Sequence, residues 1–239
     1  VPALRIIGPG RAGQSFSRAL AGAGWAVLPP LRRGDDLERA ADGADLLVLA
    51  TPDAAVADVA AAVAPSEATV VAHLAGSLGL DVLAPHPRRA AIHPLRAIPT
   101  PDTDLRGAWF AVAGDPLAWE VVAALGGRAV AVADDRRVLY HAAAVIASNH
   151  LVGLLGQVER VARAAGLPLA AYLDLVRGTV DNVARLGPAA ALTGPVARGD
   201  WATVARHLAA LDPAERPAYE ALARACARLV PAEEAAACR

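Results

Sequence analysis

The first half of the chain alternates short apolar runs with stretches in which apolar residues recur every three or four positions. The runs are Leu4–Ile7, Trp25–Leu28, Asp45–Ala50, Thr69–His73, Ala90–His93, Trp109–Ala113 and Arg128–Val132. Runs this short, rich in Val, Leu and Ile and bounded by Gly, Pro or Asp, predict buried strands. The periodic stretches, Ser15–Ala23 and Pro116–Leu125 among them, predict helices. Strands separated by helices, mostly without hairpin turns, imply a largely parallel sheet covered on both faces.

The pattern changes after Asp134, where extended runs stop. One long helix is expected from about residue 136 to about 165, ended by Gly166 with Pro168 beyond it. Further helices are expected over 169–186, 200–211 and 213–229, with Gly187-Pro188 and Gly194-Pro195 as punctuation. The chain therefore reads as an α/β domain over residues 1–134 followed by an all-helical domain over residues 135–239.

Composition narrows the function classes. The 239 residues are 55% hydrophobic and 20% charged with a net charge of -1, which excludes a disordered chain and a polybasic binder of nucleic acid or membrane surface. All 23 basic residues are arginine. A Schiff-base lysine, a lysine general acid and a phosphate-loop lysine are thereby excluded. The two cysteines, Cys226 and Cys238, are expected to be reduced thiols rather than a disulfide framework. The chain enters a strand at its start, so no signal peptide is expected. The most apolar helical stretch, Ala142–Gly156, is interrupted by Ser148, Asn149 and His150 and reads as too short and too polar to span a bilayer. A soluble, cytoplasmic protein is the expectation, without nucleic-acid or membrane partners.

The first turn carries the most specific motif. Gly8-Pro9-Gly10-Arg11-Ala12-Gly13 follows an apolar strand and opens an amphipathic helix, the context in which G-x-G-x-x-G binds a dinucleotide. Gly8 permits the tight turn, Gly10 lets backbone approach a diphosphate, and Gly13 lets helix pack on strand. The helix N-terminus offers N–H groups and the positive end of its dipole. The fold class is accordingly a Rossmann-like, doubly wound, mainly parallel sheet followed by a helical domain. About 20 residues past the first glycine, an NAD-binding loop carries an acid for the ribose 2′-hydroxyl. Here that count lands at Leu28 and Pro29, and Arg32 and Arg33 follow instead. Two guanidinium groups suit a 2′-phosphate, so NADP is the expected cofactor; a pair of solvated arginines is the plainer reading. Thr51-Pro52-Asp53, at the end of the next central strand, is expected beside the nicotinamide half.

Hydride transfer asks the protein for positioning, a proton donor or acceptor and polar groups that hold substrate. His73 and His93 end successive strands and are candidates for lining the pocket, as is Ser77; for either histidine a simple bond to backbone is as plausible. His141 lies on the long helix, with Ser148 seven residues and about two turns on, on nearly the same face, and Asn149 about 80° around at 100° per residue. Ser148, Asn149 and His150 in an apolar helix need bonded partners or a function. Asn182 and Thr193 are candidates for the same cleft. His86 and His207 read as surface residues. No histidine spacing suggests a metal site.

Gly8-Pro9-Gly10-Arg11-Ala12-Gly13, His93-Pro94-Leu95, Tyr140-His141-Ala142-Ala143-Ala144 with Ser148-Asn149, and Asp181-Asn182-Val183 through Leu192-Thr193-Gly194-Pro195 to Arg198-Gly199-Asp200 together resemble bacterial Rossmann-like proteins whose C-terminal half is a domain of unknown function. That group is similar in architecture to pyrroline-5-carboxylate reductases, deazaflavin-dependent NADP reductases and the 6-phosphogluconate dehydrogenase group. The resemblance implies an NADP-binding domain, a helical domain that forms a homodimer, and an active site between them. It implies no particular substrate. Related β-hydroxyacid dehydrogenases use a Lys and an Asn on the long helix; this chain has Asn149 but no lysine, and His141 is the nearest ionisable substitute. An imidazole titrates near neutrality and can serve as a general acid. The expected function is an NADP-dependent oxidoreductase acting on a small carbonyl, hydroxy or imine compound. His141, or else His93, exchanges the proton, and Asn149, Asn182 and Thr193 hold substrate. A non-catalytic NADP-binding sensor or regulatory protein is the alternative.

Overall fold

The computed structural model describes residues 1–230. The chain separates into two compact units, one ending at Ser148 and the other beginning at Asn149.

The first unit is built on seven strands: β1 (Ala3–Ile7), β2 (Ala26–Val27), β3 (Leu46–Leu49), β4 (Val70–His73), β5 (Arg89–Pro94), β6 (Trp109–Gly114) and β7 (Arg128–Ala131). They lie in the order β2-β1-β3-β4-β5-β6-β7, and every neighbouring pair is parallel except β5 with β6. Helices α1 (Arg11–Gly22), α2 (Val56–Ala61) and α3 (Leu117–Ala124) connect them. The apolar runs become strands because both faces of the sheet are covered. Along β3, Leu46 and Val48 join Phe16, Leu20 and Val70 in one buried cluster, while Leu47 and Leu49 join Val56, Ala60 and Val71 in another. This period of two sends alternate side chains to opposite layers. Because β1 pairs with β2 on one side and β3 on the other, the chain reverses its direction of winding between β1 and β3. Ligands of open α/β sheets gather at the carboxyl ends of strands at such a switch.

The expected long helix is one hydrogen-bonded rod with an irregular middle. It comprises α4 (Arg137–Val145), a π turn (Ile146–His150) and α5 (Leu151–Ala164). The rod stops where Gly166 takes φ +78° and the Leu167 N–H returns to the Ala162 carbonyl, a glycine-terminated C-cap. Two expectations change here. The wider π turn breaks the 100° phase, so Ser148 does not share a face with His141 by the regular-helix count. Together with the turn before it, the helix spans Asp134–Ala164, 31 residues, and holds an 18-residue window with a mean hydropathy of 1.5, long and apolar enough to cross a membrane. The reading of this stretch as too short is thus corrected; length and composition alone are weak grounds for a membrane span.

The second unit continues with α6 (Ala170–Leu186), α7 (Pro188–Ala191), α8 (Trp201–Ala210) and α9 (Arg216–Ala227). Asp200 caps α8, accepting from the Thr203 N–H at 3.0 Å. Within this unit a cavity of about 960 Å³ is lined largely by apolar side chains, among them Leu154, Val158, Leu192 and Leu222, with Thr193 and Cys226. Cys226 is a free thiol; Cys238 lies outside the described residues.

Candidate functional site

The turn after β1 is shaped by close approach. Gly8 has φ +86° and donates its N–H to the Leu31 carbonyl at 2.9 Å. A Cβ on Gly13 would fall 2.7 Å from the Gly8 carbonyl oxygen, so α1 packs on the turn only if residue 13 has no side chain. Gly10 differs. It caps α1 in extended backbone, a Cβ there would meet nothing within 4 Å, and no side chain caps the helix. The first-turn N–H groups and dipole end therefore lie beside open space. Across the switch, the Thr51 hydroxyl is buried without a hydrogen-bond partner. A bare helix N-terminus, an open backbone face and an orphan hydroxyl together make a cradle with the donors a diphosphate needs.

The surrounding candidates divide by environment. Arg32 and Arg33 are exposed just past the Leu31 bridge to β1, and the Arg32 N–H donates to Asp35 Oδ2 at 2.7 Å. Arg11 turns toward the Pro99 carbonyl at 3.4 Å, and Ala12 packs on the core. Pro52 and Asp53 are exposed, and Asp53 Oδ2 accepts from Ser77 Oγ at 3.3 Å. That bond joins the ends of β3 and β4.

The histidines resolve into different roles. His73 is fully buried, accepting from the Ala75 N–H at Nδ1 and donating from Nε2 to the Gly79 carbonyl, each at 3.2 Å. Both ring nitrogens are thus occupied by backbone, and burial lowers its pKa. His73 is a structural histidine. His86, read as a surface residue, is buried, with Nε2 bonded to the Ala60 carbonyl at 2.9 Å; the apolar packing beneath α2 closes over it. His207 is exposed, as expected.

His93 and His141 meet beside Gly76. Their rings stand edge to face with centroids 5.8 Å apart. A Cβ at residue 76 would lie 2.6 Å from His141 Cδ2 and 3.0 Å from His93 Nε2. His93 Nδ1 is hydrogen-bonded to the Tyr140 hydroxyl at 2.6 Å. Burial first, then the charges of His141 and Arg137, lowers the His93 pKa to about 4, while burial raises Tyr140 to about 12. At neutral pH the pair is therefore uncharged. With edge-to-face rings and two nitrogens of His73 already used, the three histidines do not converge as metal ligands.

Beneath them lies a group the sequence did not single out. Arg137 is fully buried. Its Nε reaches Asp134 Oδ1 at 3.3 Å, and its two terminal nitrogens have no partner. Asp134 Oδ2 meanwhile accepts from the Leu80 N–H at 2.9 Å. Arg137, Tyr140 and His141 stand at i, i+3 and i+4 on α4 and so share a face. Tyr140 was legible only as the neighbour of His141. Arg137 gave no signal, since burial cannot be read from one residue among so many arginines.

The remaining candidates are placed within their own units. Ser148 is half-buried in the π turn of the first unit. In the second, Asn149 and Asn182 are exposed, the latter accepting at Oδ1 from Arg185 at 3.0 Å, and Thr193 lines the cavity.

Comparison with known proteins adds the following. Residues 109–226 match the family model of a domain of unknown function, DUF2520, and residues 32–99 match a Rossmann-like domain. No curated protein matches the sequence. Among solved structures, the fold is similar to a Bacteroides fragilis protein provisionally described as an NADP oxidoreductase, with 22% identity, a TM-score of 0.78, and 95% of this chain and 98% of that one covered. It is also similar to a reductive aminase from Aspergillus terreus in complex with NADPH and ethyl levulinate, with 17% identity, a TM-score of 0.70, and coverage of 95% and 94%. A pyrroline carboxylate reductase from Plasmodium falciparum with NADP bound shares 12% identity at a TM-score of 0.63, with coverage of 96% and 98%. At these identities the likeness establishes the fold.

Proposed function

For a chain that joins a Rossmann-like domain to a DUF2520 domain, we propose an NADP-dependent oxidoreductase that transfers a hydride to or from a small carbonyl, hydroxy or imine compound. The observation that carries this reading is the cradle at the β1–β3 switch, where Gly10 is bare, α1 is uncapped and the Thr51 hydroxyl lacks a partner. The NADPH and NADP held by two of the similar structures support the choice of cofactor. The first acid beyond β2, Asp35, is engaged by the Arg32 backbone, while the side chains of Arg32 and Arg33 are exposed. When bound, NADPH would supply the hydride, or NADP would accept it in the oxidative direction.

The chain's own residues do the rest. Gly8, Gly10, Arg11, Ala12 and Gly13 receive the diphosphate, Arg32 and Arg33 the 2′-phosphate, and Thr51, Pro52 and Asp53 border the nicotinamide half. His141 exchanges the proton, because His93, with its pKa near 4, holds no proton to give at neutral pH. His93 lines the pocket with its ring fixed by Tyr140. Ser77 and Ser148 are assigned to the pocket, and Asn149, Asn182 and Thr193 to polar contacts with substrate.

The protein is proposed to be soluble, cytoplasmic and homodimeric through its helical unit. Among the described residues of that unit only Ala162, Val204 and Ala223 are buried hydrophobics, while Leu175, Val180, Val183 and Leu186 of α6 stand exposed. A second copy is the natural cover for such a surface.

The test is direct. NADPH should bind more tightly than NADH, and Arg32→Ala with Arg33→Ala should abolish the preference; equal affinities throughout would remove the phosphate clamp. Screening aldehydes, keto acids and cyclic imines for NADPH oxidation should find turnover that His141→Ala slows by about 100-fold or more. Full rate in that variant would exclude His141 as the proton donor.

A further inference from the structure

Resting on the oxidoreductase reading, we propose that Arg137 is the receptor for a carboxylate on the substrate, so that the compound reduced or oxidised is an acid rather than a neutral ketone or amine. The guanidinium is fully buried, yet only its Nε has a partner, and that contact to Asp134 is long at 3.3 Å. Both terminal nitrogens, the two that form the planar fork, are buried without partners. A buried cation left in this condition is costly, and proteins keep such groups paired with an opposite charge. Asp134 does not supply full pairing. It is about half exposed, and its other oxygen is held by the Leu80 N–H.

The location gives the orphan fork its meaning. Arg137 shares a face of α4 with Tyr140 and His141, one turn before them. The Tyr140 hydroxyl and the His141 ring both meet His93. Its charge is felt at His73, His93 and Tyr140, lowering the pKa of both histidines. The Arg137 fork thus stands among His73, His93 and Tyr140, which are neutral at pH 7, while the Asp134 carboxylate reaches only Nε, so the two terminal nitrogens lack an acceptor. A carboxylate presents two coplanar oxygens that match the two terminal nitrogens, the geometry in which arginine binds most strongly.

Calorimetric titration of the purified protein with 2-oxobutyrate, butanone and inorganic phosphate, with and without NADP, tests this. The wild type should bind 2-oxobutyrate about tenfold or more tightly than butanone, because only the acid forms the charge-assisted pair. In Arg137→Met the two affinities should converge to within about twofold while NADP binding persists. Arg137→Gln should behave alike, and serves if the methionine variant fails to fold; the wild-type comparison stands without either. Equal binding of acid and ketone by the wild type, retention of the preference in both variants, or tighter binding of phosphate than of 2-oxobutyrate would overturn the proposal. Failure of the wild type to bind NADP would instead strike the oxidoreductase reading, and the acid-to-ketone ratio without NADP would still judge Arg137.

Discussion

The two units bury their apolar residues to very different degrees. In the first, β3 and β4 are buried along their whole length, and both faces of the sheet are packed. In the second, the 17-residue helix α6 has no fully buried residue at all. Both are rich in Ala, Val and Leu, so composition does not separate them. Topology does: a sheet with helices on both faces closes its own core, whereas a few helices leave apolar stripes uncovered. The first unit thus closes its own core, and the second leaves an apolar stripe on α6 that the proposed association with a second copy would cover.

The sharpest way to break this contrast is to charge the uncovered stripe. Leu175→Asp with Val180→Asp should turn a dimer of the 24.3 kDa chain into a monomer in sedimentation equilibrium, weakening association by about a thousandfold, or ~4 kcal/mol. A wild type that is already monomeric would refute the reading of α6. Next in size is the first unit's own core. Phe16→Ala should cost about 3–5 kcal/mol in urea unfolding, independent of protein concentration. Leu175→Ala should instead show a cost that changes with concentration, as linkage to association requires.

Acid should act on the first unit. His93 is held in its neutral form when folded, with a pKa near 4 against an ordinary value near 6.5. Unfolding therefore takes up a proton between these values. Stability should be highest above about pH 6.5 and fall by up to about 3 kcal/mol as the pH drops to 4. Urea titrations of the wild type and His93→Asn across that window would show the slope and its loss; an unchanged slope in the variant would assign it to other groups. Smallest is Tyr140→Phe, which removes the 2.6 Å bond to His93 and should cost about 1 kcal/mol. A cost near zero would mean the phenol fixes nothing.

How far the sequence reached differs by the same division. Strands such as Leu46–Leu49 and the turn from Gly8 to Gly13 were legible because their signals are local: an apolar run, a fixed spacing of glycines. The convergence of His93 with His141 was not, since it depends on β5 and α4 meeting across distant stretches of chain. His86 shows the same limit from the other side, a lone polar residue between prolines that turns out buried and bonded. The π turn at Ile146–His150 escaped because hydrogen-bond offset leaves no mark on composition, and it undid the angular argument linking His141 to Ser148. Arg137 was the deepest omission. Its place in the site comes from lacking partners in a buried position, and no pattern of residue types records that.

Gly76 carries a last consequence. Its backbone is not in the left-handed region, so any residue could adopt its conformation; what bars a side chain is the pair of rings pressed against it. The constraint therefore belongs to three residues at once. In any natural variant of this chain, a larger residue at 76 should travel with loss or displacement of His93 or His141. Glycine at 76 with both histidines kept should mark the proteins that retain this site, a signature that can be looked for in sequences whose structures are unknown.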